Sequence, residues 1–88
     1  MIPMKTITYT IKDELGIHAR PAGLIVKLAN GFKSDIKLAV GDRSGDAKRI
    51  IGVMKMAAKQ GEVLTVTISG EDEDAAAAEI QKFLEANL

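Results

Sequence analysis

The chain has one histidine, His18, set in the stretch Leu15-Gly16-Ile17-His18-Ala19-Arg20-Pro21-Ala22-Gly23. Ala19, Arg20 and Pro21 suit the first turn of a helix. Proline is tolerated there because first-turn amides have no partner within the helix. His18 then takes the N-cap position, where free amides and the positive end of the helix dipole converge beside the imidazole. Such a place binds anions, phosphate among them. The same field disfavours a second positive charge, so the ring is expected to stay neutral near pH 7 with a nucleophilic nitrogen. Arg20 adds a permanently charged, planar fork that pairs with phosphate oxygens. His18, Ala19 and Arg20 together suit a histidine that accepts a phosphoryl group and gives it away. A histidine at a helix start is also an ordinary surface residue or cap, and these residues alone leave both readings open.

The elements that must position this stretch follow from apolar periodicity. Ile7, Tyr9 and Ile11 alternate with Thr6, Thr8 and Thr10, which predicts a strand with one buried face. From His18 to Asn30, Ala22, Ile25, Val26 and Ala29 keep the three-and-four spacing of an amphipathic helix. Gly31 suits a left-handed position just past its end. Ile36, Leu38 and Val40 mark a second strand. Gly41-Asp42-Arg43-Ser44-Gly45 reads as a turn leading to a very short third strand. Lys48 to Lys59 carries helical spacing through Ile50, Val53, Met54 and Ala57, with Gly61 ending it. Leu64, Val66 and Ile68 alternate as the last strand. Asp72 to Leu88 is the last helix, with acids Glu71 to Asp74 at its start and a stripe of Ile80, Phe83 and Leu84. The order β-α-β-β-α-β-α predicts an α+β two-layer, open-faced sandwich. Three helices cover one face of a four-stranded, mainly antiparallel sheet.

Composition narrows the chemistry. The 88 residues are expected to form a single domain, 1–88, with 47% apolar residues to build a core. Twelve basic residues balance twelve acidic ones, which gives no bulk field toward nucleic acid or an anionic membrane. With no cysteine and one histidine, disulfides, thiolate sites and a zinc or other transition-metal site are not expected. No apolar run approaches the roughly 18 residues that span a membrane. Met1 to Thr10 lacks the pattern of a signal peptide, so a cytoplasmic location is expected.

Gly16 to Ala22, GIHARPA, resembles the active-site signature of the HPr family, the histidine-containing phosphocarriers of the bacterial phosphoenolpyruvate-dependent sugar phosphotransferase system. Lys48-Arg49-Ile50-Ile51-Gly52-Val53-Met54 resembles the family's second motif, and element order and length match as well. The resemblance implies that enzyme I, charged by phosphoenolpyruvate, phosphorylates His18 on Nδ1. The group then passes to IIA domains of sugar transporters. Arg20 corresponds to the arginine that steadies the phosphate. The resemblance also implies a carrier rather than a turnover catalyst. No cofactor is expected, and a monomer is the economical expectation for a carrier that shuttles between docking sites.

Ile50, Ile51 and Met54 stand where the family exposes apolar residues beside the histidine. Three-and-four spacing cannot bury Ile50, Ile51, Val53 and Met54 equally, so Ile51 and Met54 are expected at the surface. Exposed apolar residues suit short-lived docking, with Lys27 and Lys48 as a basic rim. Gly23, costly inside a helix, fits close approach of a partner or tolerance near the helix start. Arg49 departs from the serine that many Gram-positive members phosphorylate, so serine-kinase regulation through this position is not expected. Ser44 lies in the preceding turn and does not replace it. The rival readings are a regulatory paralogue that controls an enzyme or transcription factor, and a ligand-binding module whose histidine is incidental.

Overall fold

The alternating apolar residues of the long strands all turn to one side. The computed structural model describes residues 4–88. Its elements are β1 (Lys5–Thr10), α1 (Ala19–Asn30), β2 (Asp35–Val40), β3 (Arg43–Asp46), α2 (Ile50–Lys55), β4 (Val63–Ser69) and α3 (Glu73–Asn87). They form one antiparallel sheet in the order β1-β4-β2-β3. The register sets Ile7 opposite Val66, and Val66 opposite Leu38, so one row of inward side chains crosses three strands. Ile36, Leu38, Val40, Leu64, Val66 and Ile68 are buried there, while Thr6, Thr8 and Thr10 stay exposed. Period two has thus placed the apolar set on the helix-covered face.

α3 lies over β1 and β4, α2 lies over β3, and α1 packs between the two helices. α1 buries Ala22, Ile25 and Ala29, and α3 buries Ala76, Ile80 and Leu84. The result is the α+β open-faced sandwich that the periodicity predicts.

Three local features differ from expectation. β3 begins at Arg43, because Val40 pairs with Arg43 and only Gly41 and Asp42 remain as the turn. Arg43, Ser44 and Gly45 are therefore strand residues. Gly31 closes α1 at φ −79°, an ordinary helical value, with its N–H donating to the Leu28 carbonyl at 3.1 Å and the Phe32 N–H donating to that of Ala29 at 3.2 Å. A right-handed last turn needs no left-handed residue. The second helix runs from Ile50 to Lys55 only. Lys48 is in a turn before it, its N–H donating to Asp46 Oδ1 at 2.9 Å. At the other end Ala57 turns to φ +50°, outside any helix.

Two contacts fix α2 in place. A Cβ on Gly45 would come within 2.4 Å of the Gly52 carbonyl oxygen, so helix and strand meet backbone to backbone. Asn30 Nδ2, at the end of α1, donates to the Lys48 carbonyl at 3.0 Å. α1 and α2 therefore run antiparallel, with the start of α1 near the residues that follow α2.

Candidate functional site

His18 is the N-cap of α1, with extended backbone at φ −96° and ψ −174°. Its carbonyl accepts the Ala22 N–H at 3.0 Å, which closes the first helical turn. Its half-buried ring makes no capping bond and no other side-chain hydrogen bond among the described residues. Both ring nitrogens are left for an incoming group. Pro21 is buried in the first turn and contributes no N–H. The Ala19 and Arg20 amides have no backbone acceptor among the described residues, and they point out of the helix start. Arg20 is exposed and forms no ion pair among the described residues. An imidazole, two free amides and a guanidinium thus meet at one helix end, which favours negative charge.

His18 and Arg20 line a small recess of about 40 Å³ with Asp13, Pro21, Leu24 and Asn87. The Asp13 carboxylate is engaged locally, accepting the Leu15 N–H at 2.8 Å. The Lys12 and Asp13 N–H groups donate to the Leu88 carbonyl at 2.6 and 2.8 Å, which brings the end of α3 beside the ring. A wider hollow of about 490 Å³ runs along Arg49, Ile50, Ile51 and Gly52. It holds no nucleophile and sits at the first turn of α2, whereas the smaller recess holds the imidazole.

The segment before His18 is locked by two left-handed residues. Gly16 has φ +64°, and a Cβ there would fall 2.2 Å from the Ala58 carbonyl oxygen. That same oxygen accepts the Ile17 N–H at 3.0 Å. Ala57, the residue before Ala58, is the non-glycine with positive φ among the described residues. This conformation costs a non-glycine residue about 1–2 kcal/mol, so its surroundings impose it. The Met56 and Ala57 carbonyls are both held by Arg43 Nη1, at 2.8 and 3.3 Å. These contacts account for the early end of α2.

The apolar residues expected at the surface are there. Ile51 is 77% exposed and Met54 41%, and Ile50 joins them at 42%. Val53 is fully buried and anchors the opposite side of α2. On α1, Arg20, Gly23, Leu24 and Lys27 form one exposed stripe. Lys27 lies nine residues beyond His18, about 14 Å along the axis at 1.5 Å per residue. Lys48 does not extend this stripe as a free charge, because its Nζ donates to the Phe32 carbonyl at 2.8 Å. Arg49 is the exposed N-cap residue of α2. The recess thus unites His18 and Arg20, with the Ala19 amide at the same helix start, while Lys27, Lys48 and Arg49 stand at the far end of α1.

Sequence reasoning missed Leu24, Asp13 and Asn87. Leu24 lies four residues after Arg20, and that spacing put it within reach of the same helix face. Asp13 and Asn87 come to line the recess through tertiary packing, for which no local signal exists.

The chain matches the family described as "PTS HPr component phosphorylation site" over residues 5–86. It is 47% identical over 73 residues to the phosphocarrier protein HPr of Lysinibacillus sphaericus, covering 83% of each chain. It is 42% identical over 83 residues to the HPr of Mycoplasma pneumoniae, covering 93% of this chain and 94% of that one. A solved histidine-containing phosphocarrier protein from Mycoplasma superposes with a TM-score of 0.88 at 35% identity, covering 90% of each chain. The class defined by fold and matches is the small phosphocarrier protein of the phosphotransferase system. Within it, the chain belongs to the HPr family.

Proposed function

We propose that the protein carries a phosphoryl group on His18 Nδ1, received from phosphoenolpyruvate-charged enzyme I and delivered to IIA domains of sugar transporters. The single observation behind this reading is the convergence at the start of α1 of an unbonded imidazole, the free Ala19 and Arg20 amides and an unpaired Arg20. In the accepting step the Nδ1 lone pair forms a bond to phosphorus as the bond to the donor's leaving group breaks. The proton stays on Nε2, and the cationic ring carries the phosphoryl group. The amides and Arg20 hold its oxygens. Transfer onward reverses these bond changes on the acceptor. The protein is regenerated rather than turning over a substrate, so it works in the cytoplasm as a consumed and renewed intermediate. A monomer suits a carrier that presents one face to successive partners.

Docking falls to the exposed face formed by Gly23, Lys27, Arg49, Ile50, Ile51 and Met54, with Leu24 beside the ring. Arg49 has no hydroxyl, so serine-kinase control through this position is absent. The test is a reconstituted relay of phosphoenolpyruvate, Mg²⁺, enzyme I and a IIA domain, followed by acid-labile phosphate on each protein. Label should pass through this chain to the IIA domain, and His18→Ala should stop it. Arg20→Ala should slow transfer roughly ten- to a hundredfold, the equivalent of one hydrogen bond to a charged group at about 1.5–3 kcal/mol. Unlabelled protein beside an enzyme I that charges another carrier would refute the relay.

A further inference from the structure

We infer that Arg43 and Glu62, neither of which lines the recess, position His18 through the turn at Ala57 and Ala58. The inference rests on His18 being the phosphorylated residue. Arg43 projects from β3 and donates from Nη1 to the Met56 and Ala57 carbonyls. Its Nη2 is paired with Glu62 Oε2. The other carboxylate oxygen, Oε1, accepts the Lys59 N–H at 2.8 Å. One ion pair therefore grips the loop on both sides of Ala58.

Three features make this more than a surface ion pair, which alone adds little to stability. First, the guanidinium satisfies carbonyls left open by the end of α2. Second, it holds the residue forced into positive φ, Ala57, whose conformation sets the direction of the Ala58 carbonyl. Third, that carbonyl accepts the Ile17 N–H, one residue before His18, and occupies the space left by the missing side chain of Gly16. The chain of contacts is continuous: Glu62 to Arg43, Arg43 to Ala57, Ala58 to Ile17, Ile17 to the helix start. Ile17 is buried, so a shift of the Ala58 carbonyl cannot be absorbed by water and must move the peptide that carries His18. Glu62 also ties the loop to Ile11, the residue after β1, through its own carbonyl, which accepts the Ile11 N–H at 3.0 Å. Arg43 and Glu62 act as positioning residues for the ring and the amides beside it.

The test uses the full chain with Arg43→Met, Glu62→Gln and Arg43→Lys. Asp72→Asn serves as a control that weakens a comparable carboxylate tether at the turn of residues 33–34, since the amide keeps one acceptor oxygen of the two. Each protein is phosphorylated with potassium phosphoramidate, in which phosphorus leaves ammonia for the imidazole nitrogen. Two quantities are read: hydrogen exchange of the Ile17 amide, and the rate at which water displaces the imidazole from phosphorus, followed by ³¹P NMR. Arg43→Met and Glu62→Gln should speed Ile17 exchange about tenfold or more and change the hydrolysis rate about threefold or more. Asp72→Asn should leave both unchanged, and Arg43→Lys should restore part of each. Equal shifts in the two clamp variants and in Asp72→Asn would overturn the inference. Should Arg43→Met fail to fold, Glu62→Gln decides alone, since it removes the charge that holds the Arg43 guanidinium against the turn while keeping the shape of the side chain. Failure of wild-type protein to take phosphate from enzyme I refutes the relay instead, while Ile17 exchange and chemically made phosphohistidine still decide the positioning role.

Discussion

At the scale of single residues, the site is defined as much by what His18 lacks as by what surrounds it. An N-cap serine or aspartate would turn its oxygen onto the first-turn amides and satisfy them. His18 makes no such bond, so the Ala19 and Arg20 amides stay open for an anion. Serine in place of histidine should therefore stabilise the helix start while abolishing phosphate uptake, a separation that paired unfolding and labelling measurements would detect. Gly23 gives a second residue-scale prediction. No atom lies within 4 Å of a Cβ built there, so the chain's own packing does not require glycine. Gly23→Ala should stabilise the protein by about 1 kcal/mol through helix propensity, read from urea unfolding. If a partner approaches closely at this point, the same variant will accept phosphate from enzyme I more slowly despite its greater stability.

At the scale of elements, α2 is placed by the meeting of Gly45 and Gly52. Gly45→Ala would drive a methyl group to within 2.4 Å of the Gly52 carbonyl, so α2 must move outward. Overpacking of this kind typically costs about 1–3 kcal/mol. The expected result is a lowered melting temperature together with shifted methyl resonances of Ile51 and Met54. The elements themselves were largely legible in sequence, because strand alternation at Ile36, Leu38 and Val40 and helical spacing at Ala22, Ile25 and Ala29 are local signals. So was the N-cap role of His18, which Pro21 marks. The ends of α2 were not. Ala57 has the right spacing for a helix, yet Arg43 takes the Met56 and Ala57 carbonyls and Ile17 takes that of Ala58. Those partners come from β3 and from the start of α1, and local periodicity carries no trace of them. Lys48 illustrates the same limit. It reads as a free basic rim in sequence, and the fold commits its ammonium to the Phe32 carbonyl.

At the scale of the whole molecule, a carboxylate far from the histidine ties two connections together. Asp72, at the start of α3, accepts the Lys33 N–H at 2.8 Å and the Ser34 N–H at 2.9 Å, along with the Ser34 hydroxyl. The Ser34 hydroxyl bond, followed by the backbone donors, holds the Asp72 carboxyl down to a pKa of about 2. The folded-state value lies below that of a free aspartate at about 3.9, so folding favours the charged form. This contribution is complete above about pH 4 and disappears as pH falls through about 2. Asp72→Asn should flatten that part of the acid-unfolding curve and leave stability at pH 7 to 8 independent of pH, as urea midpoints across the range would show.

The sheet, the helices and the turn at Ala58 all converge on one helix start, and the central claim is that an Nδ1-linked phosphate rests there on backbone amides. The most direct measurement is ¹H–¹⁵N and ³¹P NMR on protein labelled at its histidine and backbone nitrogens, before and after phosphorylation by enzyme I. The account predicts phosphorus coupled to His18 Nδ1 and large downfield shifts of the Ala19 and Arg20 amide protons. Phosphate on Nε2, or amides that do not respond, would contradict it.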